Sequence, residues 1–131
     1  MNPIYDVVIL GCGEAGIFAA YELASHRPEL KVLALDQGRD IYHRSCPIVA
    51  GKVRECIHCP VCDTMCGFGG AGAFSDGKFN FTTQFGGWLT DFMEPRQVME
   101  LIDYVDSINV AHGATAVSYT HLRAHETRSN L

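Results

Sequence analysis

The tightest constraint on this chain is a glycine turn held between two short apolar runs. Val7-Val8-Ile9-Leu10 leads into Gly11-Cys12-Gly13-Glu14-Ala15-Gly16, an Ala-rich stretch follows, and a second apolar run from Lys31 ends on Asp36. Three glycines in six positions arise by chance in many proteins. Their context carries the meaning: strand, turn, helix, strand and terminal acid, with Asp36 20 positions after Gly16. Gly11 supplies the tight turn, Gly13 offers no Cβ to hold off a pyrophosphate, and Gly16 lets the helix lie close on the strand. The N–H groups that open the helix, around Glu14 and Ala15, then face the phosphates with the helix dipole behind them. Asp36 is placed to accept from ribose hydroxyls. Its charge disfavours a 2′-phosphate, so the pattern predicts FAD or NAD rather than NADP.

The fold class that follows is α/β, with a βαβ unit forming the N-terminal part of a Rossmann-like domain. Residues 4–10 read as a strand buried on both faces, since its apolar run does not alternate. From Glu14 to about His26 the pattern is helical, with Ile17, Ala20, Tyr21 and Ala24 on one stripe, and Pro28 stops it. Lys31 to Asp36 is the second strand, with Val32, Leu33 and Leu35 expected inside. Gln37, Gly38 and Arg39 follow as a turn on the adenine side.

The chain has 131 residues, 47% of them hydrophobic, and a formal net charge of −5, which suits one globular domain and gives no sign of nucleic-acid binding. No apolar run approaches the ~20 residues of a membrane span, and the first strand begins too early to leave room for a signal peptide. Six cysteines without a secretion signal predict a reducing, cytoplasmic setting in which thiols bind metal or do redox work.

The last residues are set aside. Val117-Ser-Tyr-Thr-His-Leu-Arg-Ala-His-Glu126, continuing Thr-Arg-Ser-Asn-Leu131, matches the translation of a transposase mosaic end running into sequencing-adapter bases, and Ala116 is open to the same origin. That removes His121 and His125 as an i, i+4 metal pair. It also leaves a charge of about −6 once two arginines and one glutamate are discounted. The domain reading is 1–45 as the βαβ unit, 46–92 as a Cys- and Gly-rich cofactor loop region, 93–115 as a helix of the same domain, and 116–131 as a non-native tail. The chain is expected to be a fragment of a longer protein.

Cys56-x2-Cys59-x2-Cys62-x3-Cys66 has the spacing of the bacterial ferredoxin run, which wraps a four-iron four-sulfur cluster. Gly67 stands where that run has proline. In ferredoxins the fourth cysteine ligates a different cluster, so the fourth ligand here is either Cys66 or Cys46, arriving from before the run. Zinc, a redox-active dithiol and plain reduced cysteines are the other readings. Cys12 is read as a small packing residue.

A second glycine-rich loop spans 67–78. Gly72-x4-Gly77-Lys78 imitates a phosphate-binding P-loop, but Phe79 stands where a Mg2+-binding hydroxyl is required. The loop is instead expected to close on the cofactor through its backbone N–H groups, with Gly69, Gly70, Gly72, Ser75, Asp76 and Lys78 as candidate contacts. Lys78–Thr82 alternates as a short strand would. Gly86-Gly87-Trp88 turns into Leu89–Met93. Pro95 then opens a helix with Val98, Leu101, Ile102, Val105 and Ile108 on its apolar stripe and Asp103, Asp106 and Asn109 outward, ending at Gly113.

These strings together resemble a bacterial and archaeal family of uncharacterised FAD-dependent dehydrogenases in the glutathione-reductase-like flavoprotein group. The carrying residues are 5–16, Cys-Pro-Ile at 46–48, Cys-Gly-Phe-Gly-Gly-Ala-Gly-Ala-Phe-Ser-Asp-Gly-Lys-Phe at 66–79, and Phe-Gly-Gly-Trp-Leu-Thr-Asp at 85–91. The resemblance implies FAD held by Gly11, Gly13, Gly16 and Asp36, with the 69–78 loop near the pyrophosphate or flavin. Cys12 and Glu14 stand where Ala and Pro are common in the group. Members are several times longer. The function expected of the full protein is a FAD-dependent oxidoreductase, its substrate or redox partner unnamed; if the cysteine run holds an iron–sulfur cluster, electrons would pass between the flavin and that cluster. Alternatives are a non-enzymatic electron carrier or metal-binding module, and a truncated fragment without activity. No residue stands out as a catalytic acid or base.

Overall fold

The computed structural model describes residues 4–75, 79–84 and 87–114. The chain divides into two compact units, Met1–Asp76 and Gly77–Leu131. The tail read as adapter-derived lies outside the described residues, as do Asp76 and Lys78.

The first unit is built on strand β1 (Val7–Leu10), helix α1 (Glu14–His26) and strand β2 (Val32–Leu35). The strands run parallel in the register Val7 to Val32 through Leu10 to Leu35, and α1 crosses between them and packs on both. This is the expected βαβ unit. Asp6 pins its open end, since Asp6 Oδ2 accepts from the Lys31 amide at 2.8 Å. Gly13 caps α1 in extended conformation (φ −75°, ψ −171°), and the first helical bond runs from Ile17 N–H to the Gly13 carbonyl at 2.9 Å. The helix closes with Arg27 N–H on the Leu23 carbonyl at 2.8 Å. Pro28 cannot extend it.

Burial differs from the sequence expectation in a consistent way. Along β1, Val7 and Ile9 are half-buried while Val8 and Leu10 are exposed, so the strand is covered on one face and not two. Leu35, expected inside, is 46% exposed. On α1 the half-buried positions are Gly16, Ile17, Phe18, Ala20, Glu22 and Leu23, whereas Tyr21 and Ala24 are exposed. The two strands share one cause. A strand with an unbroken apolar run needs a helix layer on each face, and among the described residues α1 covers only one.

In the second unit, helix α2 (Pro95–Ala111) begins with Pro95 in its first turn, as expected. The Gln97 side chain reaches back to accept from the Glu94 amide at 3.1 Å. Gly113, at φ +102°, turns the chain away just beyond the helix end. Val98 and Ile108 are buried. Leu101 and Val105, of the same stripe, are exposed along a groove of about 280 Å³ that Phe79, Phe81 and Leu89 also line. Asp106 and Asn109 were expected outward but sit half-buried at its edge. Residues 79–82 form no strand: alternation alone cannot hold an extended segment that finds no ladder partner. Leu89–Asp91 makes a single 3-10 turn.

Candidate functional site

The glycine turn sits at the carboxyl ends of β1 and β2. Gly11, at φ +101°, occupies left-handed space, and its N–H reaches the Leu35 carbonyl at 2.7 Å. A Cβ on Gly16 would stand 1.9 Å from the Gly11 carbonyl oxygen. Glycine is therefore required there for the helix to approach its strand. Gly13 is different, because a Cβ there would meet only the Gly70 Cα, at an ordinary 3.9 Å. The Glu14, Ala15 and Gly16 N–H groups precede the first α-helical bond and carry the positive end of the dipole.

Asp36 points into this turn. Oδ2 accepts from the Cys12 amide at 2.8 Å. Oδ1 accepts from the Gly38 amide at 2.8 Å and the Gly67 amide at 2.7 Å. One carboxylate thus gathers the glycine turn, the turn after β2 and the second glycine loop. The amides of Cys12 and Gly38 chiefly, then that of Gly67 and the charge of Arg44, hold its carboxyl below the ordinary aspartate range, against partial desolvation. A carboxylate offers about four acceptor positions; three are taken, which leaves room on Oδ2 for one more donor. A cleft of about 530 Å³ opens beside it, bordered by Gly11, Asp36, Gln37, Met65 and Cys66. That volume is in the range of ligand pockets.

The second loop docks on the first. Gly69 N–H donates to the Cys12 carbonyl at 2.8 Å, and Phe68 N–H to the Arg39 carbonyl at 3.1 Å. The contact is backbone against backbone: a Cβ on Gly38 would lie 2.4 Å from the Gly67 nitrogen, and one on Gly70 would lie 3.0 Å from the Gly13 Cα. Gly70–Phe74 then winds into a 3-10 turn that Ser75 closes, its N–H on the Gly72 carbonyl. Glu14 Oε1 lies beside Gly72.

Arg44 is the residue that sequence reasoning missed. It is 7% exposed, and its guanidinium donates to the carbonyls of Asp63 (2.7 Å), Phe68 (2.9 Å) and Thr64 (2.9 Å). Its Cζ lies 4.8 Å from the Phe74 ring centroid, within cation–π range. Nothing local marks it, because an arginine inside a loop reads as surface until the carbonyls it serves fold around it.

The cysteines separate. Cys46, Cys56, Cys59 and Cys62 border one small cavity of about 40 Å³, with Ile48 and Ile57 among its apolar walls. Cys66 borders the other cleft and accepts from Gln37 Nε2 at 3.1 Å. All are free thiols. Among the described residues no three His, Cys, Asp or Glu side chains converge to hold a metal ion, so the run of 56, 59, 62 and 66 as placed does not fit a shared metal. The Val49 amide, the Thr64 side chain and the Ile48 amide draw the Cys46 thiol below its usual value. Burial, then the Asp36 charge, push the Cys12 thiol up, which suits a packing role.

A parallel βαβ unit with a glycine turn at its carboxyl edge defines the class of fold here. Sequence comparison adds a short likeness to enzymes. A stretch of 37 residues is 51% identical to the thiamine thiazole synthase of Coprinopsis cinerea, and one of 33 residues is 54% identical to that of Phaeosphaeria nodorum. These stretches cover 28% and 25% of this chain, and only 12% and 10% of the two synthases. No protein-family model matches the chain, and no solved structure matches it significantly. Among the described residues no helix is long and apolar enough to cross a membrane.

Proposed function

We propose that this chain carries the nucleotide-binding end of a FAD-dependent oxidoreductase. The observation that bears most weight is the Asp36 carboxylate aimed into the glycine turn at the carboxyl edge of two parallel strands, the place where doubly wound folds receive dinucleotides. The α1 amides from Glu14 to Gly16 would face the pyrophosphate. The open position on Asp36 Oδ2 would accept one ribose hydroxyl, with the adenosine in the cleft bordered by Gln37 and Met65. Asp36 would repel a 2′-phosphate. FAD is preferred over NAD on the family resemblance carried by residues 66–79. When bound, a flavin accepts a hydride and can release its electrons singly. The likeness to thiamine thiazole synthases supports an enzyme, and at about a tenth of their length it selects no reaction.

Gly13→Ala tests the reading without confounding the fold, because its Cβ meets nothing closer than 3.9 Å in the free protein. Titration by flavin fluorescence should show FAD binding, competition by ADP, and little competition by 2′-phosphorylated ADP. Gly13→Ala should weaken FAD by about tenfold or more, since its methyl stands where the pyrophosphate must approach. Unchanged FAD affinity in Gly13→Ala, or equal competition by the 2′-phosphorylated nucleotide, would remove the site assigned here.

A further inference from the structure

We propose that Arg44 is a positioning residue for the nucleotide site, holding residues 65–67 in place as one wall of the cleft before any ligand arrives. The inference rests on the nucleotide reading of that cleft and adds the device that shapes it. Arg44 does not itself border the cleft. Its guanidinium grips the chain on both sides of a short arch, at the carbonyls of Asp63 (2.7 Å) and Thr64 (2.9 Å) before it and of Phe68 (2.9 Å) after it. The arch is Met65, Cys66 and Gly67. Met65 and Cys66 border the cleft, and Gly67 N–H donates to Asp36 Oδ1 at 2.7 Å. Each residue between the gripped carbonyls therefore serves the site, while the arginine stays behind them.

Neighbouring contacts fix the grip. Gly67, at φ +111°, lies directly on the arginine stem, since a Cβ there would stand 3.0 Å from Arg44 Cδ. The adjacent Ser45 amide donates to Asp63 Oδ2 at 3.0 Å and ties the same two segments. The Phe74 ring faces the guanidinium, its centroid 4.8 Å from Cζ. Burying a guanidinium costs desolvation, which its carbonyl partners and the ring offset when all are in place. A segment held this way has few alternative courses, so the entropy of ordering the wall is lost on folding and not on binding. The grip also reaches Asp36. The groups that act on its carboxylate are the amides of Cys12, Gly38 and Gly67, the Cys12 thiol beside it and the Arg44 charge. The Cys12 and Gly38 amides do most to hold its carboxyl below the ordinary aspartate range, and the Gly67 amide and Arg44 add to them. Loss of Arg44 removes its charge and frees Gly67, and both changes move the Asp36 carboxyl upward. The acceptor for a ribose hydroxyl is then protonated at a higher pH.

The test is calorimetric titration of the full chain with ADP, from about pH 7 down to about pH 4, with the parent and Arg44→Met compared at each pH so that protonation of ADP itself cancels. The parent should bind about tenfold more tightly than Arg44→Met at the neutral end, and that ratio should grow as the pH falls. Asp36→Asn added to Arg44→Met should remove the growth. A residue that served stability alone would lower affinity by one factor at every pH, so a ratio flat in pH, or a ratio near one, overturns the proposal. Arg44→Lys, which keeps the charge but not the planar fork, is the gentler variant and carries the test if Arg44→Met does not fold. It should give a smaller ratio that grows in the same way, and ADP affinity equal to the parent's would overturn the grip. A parent chain that binds no ADP removes the nucleotide reading and this inference together, whereas binding by the parent with Arg44→Met unchanged removes this inference alone.

Discussion

Asp36 shows how one side chain can tie three loops together. Its three amide partners lie on three separate loops, and a charged acceptor strengthens each bond relative to a neutral one. Because its folded pKa is depressed, the stability it contributes is fully present above the unfolded value, about 3.9 for a free aspartate. That stability is lost as pH falls through the lower folded value, since the protonated acid no longer draws in the amides. Denaturant titrations from pH 6 down to about pH 2 should therefore show stability declining over the acid end of that range, with the decline reduced in Asp36→Asn. An unaltered slope in the variant would mean that other carboxylates govern the acid response. Arg44 complements this arrangement. It serves three carbonyls where Asp36 serves three amides, and lysine, with no planar fork, could not reproduce that geometry.

At the scale of elements, the loops at the carboxyl ends of β1 and β2 are held together by backbone approach more than by side-chain packing. Residues 36–39 and 66–69 touch where Gly38 and Gly67 have no side chain; a Cβ on Gly67 would lie 2.4 Å from the Arg39 carbonyl oxygen. Gly38→Ala should force the second glycine loop off the turn and cost about 1–3 kcal/mol, the range for overpacking a close contact. Hydrogen exchange should then rise at the Gly67 and Gly69 amides, whose acceptors are Asp36 and the Cys12 carbonyl, while α1 is unaffected. Exchange unchanged at both amides would show that the loops do not depend on this contact. The fourteen residues from Cys62 to Ser75 thus owe much of their course to what they lie against, having of their own only short turns, such as that closed by the Cys66 N–H on the Cys62 carbonyl, and one 3-10 turn.

Taken as a whole molecule, the chain is short of core. Among the described residues only Cys12, Val98 and Ile108 are buried apolar side chains, while Leu10 is 81% and Val8 52% exposed. Two-stranded sheets are marginal in water without further strands or a second packed layer. The isolated 131-residue chain should accordingly melt broadly, below the roughly 45–65 °C typical of mesophilic domains, and bind a hydrophobic dye in the folded baseline. Saturating nucleotide should raise and sharpen the transition by mass action. A sharp ligand-free transition above about 65 °C would show that burial on this scale suffices.

Sequence alone determined the βαβ unit, the limits of α1 and the start of α2, because these follow from local rules: apolar period, a glycine turn, and prolines at Pro28 and Pro95. It also identified Gly16 and Asp36, whose spacing from the turn is set by the length of one helix and one strand. Tertiary structure alone decided which face of β1 is covered, how Asp36 spends its acceptors, why Arg44 is buried, and which cysteines share a cavity. Those outcomes depend on residues 20 to 30 positions apart in the chain, such as Gln37 with Cys66 and Arg44 with Phe68. Spacing along a strand or helix cannot encode such pairs, since their geometry exists only once the loops have closed on one another.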